Sequence, residues 1–385
     1  MIYLDHNAST PVRPEVAEAM HQALRDLGAN PSSPHRAGQQ ARAAIERARS
    51  QVAAMVGAAS EEVVFVSGGT EGDHLVVIGA AMACRAQGMA VAASAIEHHA
   101  VRGAADVLSD FGWTHHALPC DADGRTQASA IDSLPEGTTL VSLMFANNET
   151  GVLQPVAELA ARAHARGMLV HCDAVQGAGK VAVDAGALGA DYLVISAHKF
   201  GGPKGTAAVI VRKSAPLEAL FRGSGHERGR RGGTENAAGI VGMGLAAEMA
   251  CRDLDRESER IAALRERFES RLLEAIPDAV VHGAAAPRLP GTSQISFPGA
   301  RSDYLLMALD ARGLCASAGA ACHSGGVEPS SVLSAMGVGR DLAICAIRFS
   351  LGRTTTAQDI QGATGIVTES VSLVRRTQAT AVSLP

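Results

Sequence analysis

Short apolar runs alternate with longer stretches of helical period through the first 215 residues of this chain. Residues 63–66 (VVFV), 89–93 (MAVAA), 140–146 (LVSLMFA), 168–172 (MLVHC), 192–196 (YLVIS) and 207–211 (AAVIV) are apolar at nearly every position. Strands covered on both faces carry that pattern, whereas strands with one wet face alternate. Between most of them lie Ala-rich segments of helical length, such as VAELAARAHARG at 156–167. Ahead of them, residues 13–28 place Val16, Met20, Ala23 and Leu27 on one stripe, with Pro14 in the first turn and Gly28 as a stop. A second helix is expected from about His35 to Val56, ending at Gly57. Strands alternating with helices predict a mainly parallel sheet with helices on both faces.

The pattern changes after residue 230. Residues 234–274 read as two long helices leading out of the large domain. Beyond 280, strands at 293–297 and 347–351 mix with helices in an α+β arrangement. The expected division is a large domain over 13–250 and a smaller one built from 1–12 and 251–385.

Composition narrows the function. With 385 residues, 47% of them hydrophobic, the chain can bury a substantial core. A net charge of −5 argues against a nucleic-acid or membrane-surface binder, which needs a basic excess. The longest apolar stretch, from His74 to Cys84, is bounded by Asp73 and Arg85 and is too short for a membrane span. The first residues, MIYLDHNAST, lack the basic and hydrophobic regions of a signal peptide, so a cytoplasmic location is expected. The seven cysteines include no CxxC pair, which argues against a disulfide framework or a structural zinc site. Each is by default a small buried apolar side chain.

In parallel sheets, ligands bind in the loops after the carboxyl ends of the strands. Here those loops read SGGTEGDH, NNETG, DAVQG and SAHKFGGPKG. In the first, Gly68 and Gly69 allow close backbone approach, Thr70 offers a hydroxyl, and a following helix N-terminus attracts anions. Asp173 follows a buried strand, where a carboxylate needs a cation or strong donors. Lys199 is one of four lysines, and on position alone a loop lysine is solvated by about two to one. Its company reverses that preference. An anion site, a strand-end acid and a strand-end amine at one sheet edge are what pyridoxal phosphate requires for its phosphate, ring nitrogen and aldehyde. A literal dinucleotide fingerprint, GMGLAA at 242–247, follows no strand and lies within a helical stretch, so it is set aside. His115, His116 and Cys120 lack a further ligand at metal-binding spacing.

Cys322 differs from the other cysteines. It stands in GAACHSGG, whose small residues predict an exposed loop, and His323 beside it favours thiolate, the reactive form.

The chain resembles, over nearly its full length, the cysteine desulfurases and selenocysteine lyases of the class V aminotransferase group. The segments that carry the resemblance include YLDHNASTP at 3–11, NPSSPHRAG at 30–38, SGGTEGDH at 67–74, EHHAV at 97–101, HCDAVQGAGK at 171–180, SAHKFGGPKG at 196–205, GHERGRRGGTEN at 225–236, SAGAACHSGGVEPS at 317–330 and IRFSLGRTTT at 347–356. It implies the type I fold of pyridoxal 5'-phosphate enzymes, with a seven-stranded sheet, and a homodimer with shared sites. By motif, Lys199 corresponds to the Schiff-base lysine, Asp173 to the partner of the pyridinium nitrogen, and Gln176 and Asn148 to neighbours of the ring hydroxyl. His98 corresponds to the residue that stacks on the ring and handles protons, while His99 is expected only to cap its helix. Gly69, Thr70, Ser196 and His198 correspond to the phosphate cradle, completed by Thr234 of a second copy. Arg348 corresponds to the grip on the substrate carboxylate, with Asn30 as a further candidate. Cys322 corresponds to the residue that takes sulfur from L-cysteine as a persulfide and passes it to an acceptor protein. The ACHS run also occurs in the selenocysteine-lyase branch, so selenocysteine is the alternative substrate.

Overall fold

The computed structural model describes residues 1–319, 322–323 and 326–382, with backbone alone for 322, 323, 326, 327 and 379–382. After strand β1 (Ile2–Tyr3) come helices α1 (Pro14–Asp26) and α2 (Arg36–Met55). The large sheet contains β2 (Val63–Val66), β3 (Ala90–Ser94), β4 (Thr114–Leu118), β5 (Thr138–Ser142), β6 (Leu169–Asp173), β7 (Tyr192–Ser196) and β8 (Ala207–Val211). Its order is β2-β8-β7-β6-β5-β3-β4, and only β8 runs against its neighbours. The six expected strands are all present. The seventh, β4, is an edge strand with sequence THHAL, and its mostly exposed side chains gave no apolar run to read.

Alternation along each strand divides the core into two layers. Phe65, Val141, Val170, Leu193, Ile195 and Ile210 pack with α2, α5 (Val156–Ala165) and α7 (Ala237–Ala275). Val64, Val91, Leu140, Val194, Val209 and Val211 pack with α3 (Gly69–Cys84) and α4 (His99–Asp110). The α3 contact is close: a Cβ on Gly72 would lie 2.8 Å from Val194. A four-residue helix, α6 (Ala185–Leu188), precedes β7.

The expected break within 234–274 is absent. Helix α7 runs unbroken for 39 residues. The polar stretch that reads as a boundary contains no glycine or proline, and ion pairs three residues apart, Arg256–Asp253 and Arg260–Glu257, support it in solvent.

The far end of α7 contributes Phe268 and Leu272 to a third core cluster with Leu4, Ile295, Phe297, Ile347 and Phe349. Phe268 and Phe349 meet edge to face at 5.1 Å. Around them stand β9 (Val280–His282), β10 (Thr292–Ser296), α8 (Ser302–Asp310), β11 (Leu314–Cys315), β14 (Ala346–Ser350) and α11 (Ala357–Val382). Between β11 and β14 come the hairpin of β12 (Cys322–His323) with β13 (Gly326–Val327), then α9 (Ser331–Ala335) and α10 (Arg340–Ala343), whose Val332, Leu333 and Ala343 form a separate cluster with Ile96 and Met144. Strands β9 and β14 flank β10 in an antiparallel sheet. Strand β1 pairs with β11, and Asp5 bridges to Ser350. The N-terminal residues are thereby laid beside β14. No helix among the described residues is long and apolar enough to cross a membrane.

Candidate active site

Strands β2, β5, β6 and β7 end on the same sheet edge, and the loops leaving them surround a cleft of about 400 Å³. Gly69 and Thr70 from the first turn of α3, Asn148 from the loop after β5, Asp173 at the end of β6 and Gln176 just beyond it all line the cleft. So do Ser196 at the end of β7, His198 and Lys199 just after it, His98 after β3, and Arg348 from β14. Ten of the sequence-derived candidates therefore share one space.

Lys199 lies on a single 3-10 turn, Ala197–Lys199, that follows β7 directly. Its Nζ donates to the Asn7 and Ala8 carbonyls at 2.5 and 3.0 Å. Burial lowers its pKa to about 8, assisted by the positive charge of Arg348 and opposed by Asp173 and Asp5. The amine is thus within reach of its neutral, nucleophilic form near physiological pH.

Asp173 is the last residue of β6, and its Oδ1 accepts the Val175 N–H at 2.9 Å. Burial pushes its carboxyl up, while His98, the Val175 bond and Lys199 oppose the shift. Two more buried acids stand behind it. Asp73 on α3 is pushed up by burial and then by Asp173 and Glu97, and Glu97 is raised to about 8 by burial and Asp173. A cation against Asp173 would favour its charged form in this acidic surrounding.

Arg348 donates through Nη2 to Asp5 at 2.8 Å and through Nη1 to the Asn148 carbonyl at 3.1 Å. Its Nε is buried without a partner among the described residues. Gln176 donates to the Asn7 carbonyl and accepts from Lys180. The N-terminal motif thus supplies Asp5, Asn7 and Ala8 to the site. The sequence pattern had marked the motif without assigning it a task, because backbone carbonyls leave no side-chain signature.

Helix capping falls to His98 rather than to His99. His98 is the N-cap of α4, its Nδ1 accepting the Ala100 N–H at 3.2 Å. In the neutral ring the proton then sits on Nε2. His99 instead meets Arg102 Nη2 at 3.0 Å.

Two candidates lie elsewhere. Asn30 is exposed in the loop before α2, where its Oδ1 accepts the Ser32 N–H, and it does not line the cleft. Thr234 is exposed and lines a separate hollow with Ser67, Arg231 and Asn236. That loop is anchored by the buried pair of Arg49 and Glu227, whose carboxylate also accepts the Phe65 N–H. Glu227 and Arg228 there adopt positive φ of 46° and 57°. The Cys322 backbone pairs with Val327 in the β12–β13 hairpin, but its side chain lies outside the described residues. Of the other cysteines, Cys84, Cys172 and Cys345 are buried as expected, Cys120 and Cys315 half-buried, and Cys251 is exposed on α7.

Residues 2–362 match the family model for aminotransferase class-V. The chain belongs to that family. Within it, the chain is 41% identical over 360 residues to a cysteine desulfurase IscS of Dictyoglomus turgidum, covering 93% of this chain and 91% of that one. A solved NifS-like protein superposes with a TM-score of 0.90 at 34% identity, over 97% of this chain and 99% of that one. A structure of SspA in complex with cysteine superposes at 0.81 with 30% identity, over 91% and 99% respectively. The chain is a homologue of the cysteine desulfurases.

Membership in the class-V family implies pyridoxal 5'-phosphate, and the cleft fits that group. Ser196 Oγ is buried there without a partner among the described residues. Gly68 provides no side-chain cap to the 16-residue helix α3, which leaves first-turn N–H groups for an anion. Asp173 and Lys199 meet the remaining needs of ring nitrogen and aldehyde.

Proposed function

We propose that this protein is a cysteine desulfurase whose cofactor chemistry is centred on Lys199 and whose sulfur acceptor is Cys322. The observation that carries the reading is the shared cleft, in which the Lys199 amine, the Asp173 carboxyl and the Arg348 guanidinium converge on the uncapped end of α3.

Gly69, Thr70, Ser196 and His198 hold the phosphate of pyridoxal 5'-phosphate. Thr234 from a second copy completes this cradle, a reading supported by its position outside the cleft of its own chain. Asp173 would hold the ring nitrogen, with Gln176, Asn148 and His98 as the remaining residues to hold the ring. Bound, the cofactor supplies an aldehyde for amine capture and an electron sink for the pair left at Cα.

Lys199 Nζ would hold the cofactor by its aldehyde, and the same amine would take the Cα proton of L-cysteine. Its lowered pKa suits it to that task. Arg348 orients the substrate through its carboxylate, a planar contact suited to guanidinium. The Cys322 thiolate attacks the substrate sulfur, so an S–S bond forms as the Cβ–S bond breaks. Cysteine and the enzyme thiol thereby become alanine and an enzyme persulfide, with His98 Nε2 placed to move protons. A protein acceptor then takes the sulfur.

The test is to supply L-cysteine without any keto acid. Alanine should accumulate one for one with transferred sulfur when a thiol acceptor is present. Dependence of alanine formation on a keto acid would mark a transaminase and overturn the reading.

A further inference from the structure

The loop after β5 carries a buried acid that the chemistry above leaves unused. Glu149 is 6% exposed, and its backbone is pinned because Asn147 Oδ1 accepts the N–H groups of Glu149 and Thr150, each at 2.9 Å. We propose that Glu149 is a positioning residue for the segment bearing Cys322, its carboxylate seating both ends of residues 319–330. The inference rests on Cys322 being the sulfur acceptor.

At the far end, Ser330 Oγ donates to Glu149 Oε2 at 2.5 Å. Ser330 Oγ also accepts the N–H groups of Val332 and Leu333 at 3.1 and 3.2 Å, capping α9. The hydroxyl proton is therefore committed to Glu149 and the lone pairs to the helix. At the near end, a Cβ placed on Gly319 would overlap the Glu149 carboxylate, so the main chain there lies directly against it. One carboxylate thus touches the chain on both sides of Cys322, at Gly319 and at Ser330.

The arrangement is tied to the substrate grip. Ser317 exchanges both backbone hydrogen bonds with Arg348, at 3.1 and 2.6 Å. The residue before Glu149, Asn148, gives its carbonyl to Arg348 Nη1. The loop of residues 147–150 therefore touches both the arginine proposed to hold the substrate and the two ends of the segment proposed to receive its sulfur. A merely structural Glu149 would affect the α9 cap and overall stability. A positioning Glu149 affects one step.

The experiment compares wild-type holoenzyme with Glu149→Ala, Glu149→Gln and Gly319→Ala after mixing with L-cysteine. Two signals are followed: the absorbance change of the cofactor on cysteine capture, and the sulfur mass added to Cys322 in rapidly quenched samples. A third readout, the rate of Cys322 alkylation by iodoacetamide, uses cofactor-free protein. Glu149→Ala should slow persulfide formation about 10-fold or more, the scale of a modest misplacement of a reacting group. It should leave the capture signal and its half-saturating cysteine concentration within about 2-fold, and it should change the alkylation rate. Glu149→Gln keeps an oxygen to accept from Ser330 and should restore most of the rate. Gly319→Ala, which displaces the carboxylate from the other side, should repeat the Glu149→Ala pattern and serves if that variant fails to fold. Persulfide formation at the wild-type rate in Glu149→Ala or Gly319→Ala overturns the inference, as does equal slowing of capture and persulfide formation. A persulfide on another residue of the wild-type protein overturns the acceptor reading itself.

Discussion

Asp173 and Lys199 stand at the ends of two neighbouring strands, β6 and β7, in the middle of a seven-stranded sheet packed on both faces. Cys322 stands on a short hairpin outside that sheet, in a segment whose described ends rest on the Glu149 carboxylate and the Ser330 cap. The two regions serve different needs. Proton transfer at Cα requires an amine and an acid at fixed separation, which adjoining strands provide. A sulfur carrier must reach the substrate and then a second protein, which suits a residue held at the ends of its segment. On this account the two steps can be disabled separately.

Lys199→Ala should have the largest effect, lowering alanine formation by about 10³-fold or more, within the range of general acid–base contributions. It should leave Cys322 alkylation in cofactor-free protein unchanged. Cys322→Ser comes next. It should retain the cofactor absorbance and the response to L-cysteine while sulfur release falls by about 10²-fold or more. If either variant disabled both regions, the separation would fail. Arg348→Lys loses the planar grip and should lower kcat/KM for L-cysteine by about 10- to 100-fold, equivalent to the 1.5–3 kcal/mol of a charge-assisted hydrogen bond.

Stability offers a contrast between anchors. Arg49→Ala would strand the buried Glu227 carboxylate and should cost about 3–5 kcal/mol, read from denaturant unfolding. It should also loosen the loop that carries Thr234.

The smallest expected effect concerns the charge of Lys199. Because its pKa is lowered to about 8 from 10.5, the amine is mainly protonated below pH 8 and mainly neutral above it. Amine labelling of Lys199 in cofactor-free protein should therefore be half-maximal near pH 8, with peptide mass spectrometry as the readout. The charge of Arg348 contributes to the lowering, so Arg348→Met should move that midpoint upward in pH.

The same contrast explains what the sequence disclosed. Asp173 and Lys199 were legible because buried strands announce themselves as apolar runs, and a charged residue at such an end is conspicuous. Strand β4 was not, since an edge strand with exposed Thr114 and His115 and a half-buried His116 looks like a polar loop. The continuity of α7 was hidden by a solvated middle stretch, where the absence of glycine and proline was the available clue. Asn30 was recognised by motif, but a motif alone carries no information about which cleft a side chain reaches. Glu149 stood in the post-strand loop NNETG with no role assigned to it. Its burial and its contact with Gly319 and Ser330 depend on segments about 170 to 180 residues away, which no local pattern encodes.

The central claim is the division of labour between Lys199 and Cys322. It is tested most directly by incubating the holoenzyme with L-cysteine, quenching, and locating added sulfur by mass spectrometry. The account predicts one extra sulfur on Cys322 in the wild-type protein and none on Cys322 in Lys199→Ala. Added sulfur on a different cysteine, or Cys322 persulfide formed as fast without Lys199, would contradict it.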